Sequence, residues 1–271
     1  MGKRKKGEQR TGTCVYCGAE GPVTKEHVFA RRLFEVKDDE MLTVPACQLC
    51  NTKKELGDRD LDLYVTMHIG GSQHPDAMAH AERLLEKTNN RTKRWLRRSL
   101  EGATEIDLVT WDGIVLDGGI EFPFDTSRII WSLEQTIRGL HFHETKIILP
   151  PTCSVFVEEI PWSNAPEFAH TRSQQVPFRP QGKGHAVAWW QSFELEDMPV
   201  ETQSWLICFN NWVLFHGVTG ELANRVRDRR QQAITSRAES RAFEELIFRG
   251  QRRKVRVPQR PDGRYLPPPR D

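Results

Sequence analysis

Two Cys-x-x-Cys pairs constrain this chain more than any other feature. Cys14-Val15-Tyr16-Cys17 and Cys47-Gln48-Leu49-Cys50 are separated by 29 residues. Two thiolates on one tight knuckle can reach the same ion, and two such pairs complete a tetrahedral set of four sulfurs, which suits zinc. Gly18, directly after Cys17, permits the turn that a knuckle needs. A redox Cys-x-x-Cys predicts one pair in a βαβ setting, and this pattern is neither. The other two cysteines, Cys153 and Cys208, fall in apolar segments expected to be strands and read as buried hydrophobic residues. Cysteines used for metal rather than disulfides fit a cytoplasmic location. The basic N-terminus is followed by no apolar signal region, and no run is long enough to span a bilayer, so no membrane partner is expected.

The residues around the two pairs carry the chemistry. They read Thr24-Lys25-Glu26-His27-Val28-Phe29, then Val44-Pro45-Ala46-Cys47-Gln48-Leu49-Cys50-Asn51, with Lys54 downstream. A carboxylate followed by His, and a Cys-x-x-Cys followed by Asn, place oxygen and nitrogen donors beside the sulfur staple. The expected geometry is a hairpin presenting Glu26 and His27 against a short helix that begins near Cys47. Cys50 would face the zinc, and Asn51, about a quarter turn further on, would face the hairpin. A second ion would then fit between hairpin and helix.

The pattern C-x-Y-C-G, T-x-E-H-V and V-P-x-C-x-x-C-N with a following Lys resembles the HNH endonucleases, whose treble-clef, ββα-metal module is held by zinc. The resemblance covers roughly residues 13–60. It implies a metal-dependent endonuclease that hydrolyses phosphodiester bonds in nucleic acid, DNA first. His27 matches the general base. Glu26 matches the acidic metal ligand, and Asn51 the last HNH position, a second ligand of a catalytic Mg²⁺ or Mn²⁺. One position departs from the family. The middle Asn, five residues before the third cysteine, is Leu42 here. A backbone carbonyl, Thr43 or Asp39 would have to orient the imidazole instead. The alternative is a non-catalytic zinc module that binds nucleic acid without cutting it.

Charge adds a second line of argument. The net charge is only +2, so bulk charge does not point to nucleic acid, but the basic residues are blocked. Lys3-Arg4-Lys5-Lys6 opens the chain, Lys87–Arg98 holds six cations and no acid, and the tail from Arg249 alternates Arg and Lys with prolines. Such blocks attract phosphates. Near the motif, Arg31, Arg32, Lys53 and Lys54 are candidate phosphate clamps. Arg94, Arg97 and Arg98 are candidates further on. Solvated surface is the plainer reading of each. Asp58 and Asp60 read as caps or exposed charges, with an outer-sphere carboxylate as the sharper option.

The remaining sequence predicts an α+β protein, with the small zinc module followed by a larger domain of mostly antiparallel strands and helices. Residues 1–12 read as a basic disordered N-terminus, 13–70 as the module and 76–103 as a basic helical segment. Residues 104–250 read as an α+β domain and 251–271 as a basic, Pro-rich tail. Strands are expected across 105–122, with breaks at Asp112-Gly113 and Asp117-Gly118-Gly119. A helix is expected from Asp125-Thr126, carrying Ile129, Leu133, Ile137 and Leu140. A strand follows at Cys153–Ile160, a long loop at 161–184, paired strands at His185–Leu195 and Ser204–Phe215, and a charged helix from Glu221 to about Phe248. His141-Phe142-His143 has the spacing of a strand face, or of packing at a helix end. Trp189, Trp190, Trp205 and Trp212 are expected to pack between sheet and helix. The larger domain would recognise substrate, regulate cutting or bind a protein partner. If the knuckle is only a staple, the chain is an interaction protein.

Overall fold

The computed structural model describes residues 10–34, 41–68, 79, 82, 101, 103–109, 115–121, 126–160, 179–181, 188–194, 198–210, 213–229 and 254–256. Strands β1 (Arg10–Thr13), β2 (Glu20–His27) and β3 (Thr43–Cys47) form an antiparallel sheet in that order. Helix α1 (Gln48–Met67) starts directly where β3 ends. A hairpin of β4 (Thr104–Val109) and β5 (Val115–Glu121) is followed by helix α2 (Thr126–Thr145). The remaining large element is an antiparallel sheet of five strands. Its order is β6 (Val155–Ile160), β10 (Val213–Thr219), β9 (Gln203–Phe209), β8 (Ala188–Glu194) and β7 (Arg179–Gln181). Helix α3 starts at 220 and is described to 229. β11 (Lys254–Arg256) pairs in parallel with β4. The class is mixed α+β with small antiparallel sheets, as the sequence predicted.

Helix α2 forms because its apolar residues recur at helical spacing. Ile129, Leu133, Ile137 and Leu140 make one buried stripe. It lies on the five-stranded sheet, where Trp205, Ile207, Phe209, Val213 and Phe215 join the same core. The alternate residues Leu206, Cys208, Leu214 and Val218 are also buried, so both faces of β9 and β10 are covered.

Residues 204–215, expected as one strand, fold as two. Asn210, at φ 51°, turns the chain between them. Other segments also differ from expectation. Arg10–Thr13 is a strand rather than part of a disordered terminus. Lys254–Arg256 in the tail pairs with β4. Asp117-Gly118-Gly119 lies inside β5. Cys153 sits in the turn before β6. The His141–His143 segment belongs to α2, which runs a turn further than its apolar stripe. Most of 76–103, residues 161–178 and Trp212 lie outside the described residues, as do Arg94, Arg97 and Arg98.

The cysteine-bearing unit and the large sheet share one core. Phe29, in the connection between β2 and β3, is 1% exposed. Its ring centroid lies 5.7 Å from Trp190, 6.1 Å from Phe209 and 6.5 Å from Phe34. The Thr136 hydroxyl of α2 donates to the Val28 carbonyl at 3.2 Å. Helices α1 and α2 come close enough at Gly57 that a Cβ there would meet the Arg128 carbonyl oxygen at 2.7 Å. Among the described residues no helix is long and apolar enough to cross a membrane.

Candidate metal centre and adjoining polar cleft

The four motif cysteines converge. Cys14, Cys17, Cys47 and Cys50 place one sulfur each within 4.8 Å of all the others, and the Cys17 and Cys47 sulfurs are 3.9 Å apart. A zinc ion with bonds of about 2.3 Å needs tetrahedral sulfurs about 3.8 Å apart, so the cluster fits that ion. The first knuckle is closed by backbone bonds from Gly18 N to Cys14 O (2.8 Å) and from Cys14 N to Ala19 O (2.9 Å), with Gly18 at φ 72°. The second pair needs no loop, because Cys47 ends β3 and Cys50 lies on the first turn of α1. Burial pushes the Cys50 thiol up, and negative charge on Cys14 and Cys17 pushes it further. Four thiolates this close would repel one another without a cation among them. The cluster can hold zinc, and zinc there would tie the knuckle between β1 and β2 to the junction of β3 and α1.

Asn51 of α1 reaches β2 at Thr24, two residues before Glu26. Thr24 and Glu26 share one face of β2 by strand alternation, and Asn51 and Lys54 share one face of α1 by helical spacing. The Asn51 amide nitrogen donates to Thr24 Oγ1 at 3.3 Å, and Thr24 Oγ1 donates to the Ala46 carbonyl at 3.4 Å. Glu26, two residues along, is half-buried. Burial pushes its carboxyl up to about 7 against the pull of the Lys54 ammonium, with Asp58 and Glu55 adding to the rise. A carboxylate this reluctant to carry charge would gain from a cation beside it.

His27 closes β2 and stands directly opposite Thr43 in the ladder. It alternates to the other face of the strand from Glu26. Burial lowers its pKa below the usual imidazole value, and the Arg31 and Lys54 charges lower it further. The ring is therefore neutral near pH 7. Its Nδ1 is buried without a hydrogen-bond partner, so Thr43 does not serve as the orienting group. Asp39 lies outside the described residues.

Lys54 departs from its expected role. It is fully buried, and its ammonium binds both Asp58 oxygens, at 2.9 and 2.8 Å. It cannot clamp a phosphate at the surface. Asp58 is correspondingly neither a cap nor an exposed charge, since the Ser132 hydroxyl of α2 donates to it as well. Asp60 is also buried, with Arg128 3.5 Å away. The helix is twenty residues long rather than short because its lower half packs on α2. Lys53 remains exposed, its ammonium 4.2 Å from the centre of the Trp131 ring. Arg31 and Arg32 are exposed on a single 3-10 turn.

Two groups escaped the sequence reading. The Tyr16 hydroxyl is buried in the first knuckle without a hydrogen-bond partner. Its pKa is raised by burial, then by negative charge at Glu26 and Asp58. Ser132 carries no signal in the sequence beyond a polar residue interrupting an apolar stripe.

Comparison with known proteins adds nothing further: no family model matches the chain, and no match was found among curated proteins or solved structures.

Proposed function

We propose that this chain is a metal-dependent HNH-type endonuclease that hydrolyses phosphodiester bonds in DNA, built on a treble-clef, ββα-metal module. The observation that supports it best is the seam itself, where a four-sulfur cluster joins a strand ending in Glu26-His27 to a helix whose first turns carry Asn51. The structural zinc would be held by Cys14, Cys17, Cys47 and Cys50. Glu26 and Asn51 would hold a Mg²⁺ or Mn²⁺ ion. Their hard oxygen donors suit such an ion, and the raised pKa of the half-buried Glu26 carboxyl favours a cation beside it. When bound, that ion supplies charge stabilisation for the phosphate and the leaving oxygen.

The chain's own groups do the rest. Neutral His27 takes the proton of the attacking water, a role that its lowered pKa suits near pH 7. Donation by the Asn51 amide nitrogen to Thr24 leaves the amide oxygen as the atom available to a cation. Arg31 and Arg32, exposed four and five residues after His27, steer the polyanion toward the imidazole. The test is His27→Ala. It should abolish metal-dependent nicking of plasmid DNA while leaving zinc content unchanged. Cutting at the wild-type rate by that variant would remove the base assignment.

A second reading has its own support. Leu42 stands where the family has its orienting Asn, and Nδ1 of His27 has no partner. A zinc module that binds nucleic acid without cutting accounts for both. It predicts that DNA is shifted but never nicked, whether Mg²⁺, Mn²⁺ or a chelator is present.

A further inference from the structure

A cavity of about 530 Å³ lies along the three-stranded sheet beside the candidate site, within the ~300–1,000 Å³ range of small-ligand pockets. Arg10, Val23, Lys25, Thr43, Pro45 and Thr24 line it. The strand register explains its composition. Arg10 stands opposite Val23, Lys25 opposite Pro45, and His27 opposite Thr43. Directly opposed residues share a face, and residues two apart along β2 share it too. One face of the sheet therefore carries, in order, Arg10 with Val23, Lys25 with Pro45, and His27 with Thr43.

Three properties restrict what this cleft takes. Its charges are of one sign, since Arg10 and Lys25 are exposed and no acid among the described residues lines it. Arg10 and Lys25 are diagonal neighbours in the ladder, about 7–8 Å apart at the backbone, so both can act on one nucleotide and its flanking phosphates. Between them lies an apolar patch of Val23 and Pro45, with Thr43 at its edge. Apolar surface between cations suits a base or sugar lifted out of a stack. A duplex presents mainly phosphates and groove edges, and would leave the concavity unfilled.

The cleft runs toward His27 at one end. Thr43, which lines the cleft, is the ladder partner of His27. We propose that this cleft binds an unpaired nucleotide of a single strand of nucleic acid, with Arg10 and Lys25 on its flanking phosphates. The cleft then acts as the entry track to His27, an extension that rests on the nuclease reading, whereas binding itself does not.

The experiment separates the two. Fluorescence anisotropy on zinc-loaded His27→Ala protein, without added magnesium, measures binding of labelled oligo-dT, oligo-U and a DNA duplex over a salt series. Either single strand should bind at least ten-fold tighter than the duplex, and the tighter of the two identifies the sugar. Adding Arg10→Ala and Lys25→Ala should flatten the log–log salt dependence by about 1.4, from ~0.7 per phosphate contact on single strands. Arg10→Lys with Lys25→Arg should restore it. Zinc content and far-UV dichroism verify that the variants are folded. An unchanged slope, or a duplex bound as tightly as the single strands, overturns the proposal. If the slope falls as expected and the wild-type chain still cuts no nucleic acid in Mg²⁺ or Mn²⁺, the cleft stands and the nuclease reading falls.

Discussion

The ammonium of Lys54 lies 2.9 and 2.8 Å from the two carboxylate oxygens of Asp58, one helical turn further along α1, and the lysine side chain has no contact with solvent. Ser132 of α2 donates to the same carboxylate. This pair faces the Glu26 carboxyl on one side and the large sheet's helix on the other. Lys54→Met should destabilise the fold by ~3–5 kcal/mol, the usual cost of stranding one buried charge. Replacing both partners, as Lys54→Met with Asp58→Leu, should recover much of that loss. Urea denaturation of the three proteins measures it, and a single variant within about 1 kcal/mol of wild type would remove the pair from the list of structural supports.

At Gly57 helices α1 and α2 approach closely. A Cβ there would meet the Arg128 carbonyl oxygen at 2.7 Å and the Ser132 Cβ at 2.9 Å, both poorly able to retreat. Gly57→Ala should therefore cost ~1–3 kcal/mol despite its better helix propensity, because the helices must part. A gain in stability would mean that the interface is looser than described.

Metal analysis should find one zinc per chain. Cys50→Ser, or exposure to a strong chelator under denaturing stress, should remove it. Loss of the ion should also disturb the near-UV dichroism of the Phe29–Trp190 contact, since both belong to the core that the knuckle enters. Full retention of zinc by the serine variant would contradict the four-sulfur site.

His141 gives a pH signature. It is fully buried on α2, its Nδ1 2.9 Å from the Gln203 side-chain oxygen, and burial holds its pKa below the free value despite that bond. Below about pH 6.5 the unfolded imidazole takes up protons that the folded one refuses. Stability is thus complete above that value and falls as pH drops toward the folded pKa. His27 and His143 are shifted in the same direction, so they share the decline. His141→Asn should shrink, without abolishing, the stability difference between about pH 7.5 and 5.5, a window spanning the free imidazole value. An unchanged difference would show that His141 is not held neutral.

Much of the architecture was readable because it rests on local patterns. The two Cys-x-x-Cys pairs announced the sulfur cluster, since ligand spacing within a knuckle is a local property. The apolar stripe of α2 and the strands of the large sheet followed from periodicity. What escaped depended on contacts between distant segments. Lys54 and Asp58 look like surface residues of a charged helix, and only the packing of α2 through Ser132 turns them inward. The break at Asn210 was legible as a pair of turn-favouring asparagines, but double burial of β9 and β10 erases the alternation that would set off the two strands. Arg10 and Lys25 were passed over for a related reason. Their alignment exists only once β1, β2 and β3 are in register.

Phe29 decides how this protein can be divided. The aromatic ring that follows the Glu26-His27 segment is lodged among Trp190 and Phe209, residues encoded far downstream. Cutting the gene after α1 would not liberate a self-sufficient module. It would strand that ring in water, together with Val28, and expose sticky surface. Any other scaffold that received these first strands would have to offer Phe29 an equivalent aromatic socket.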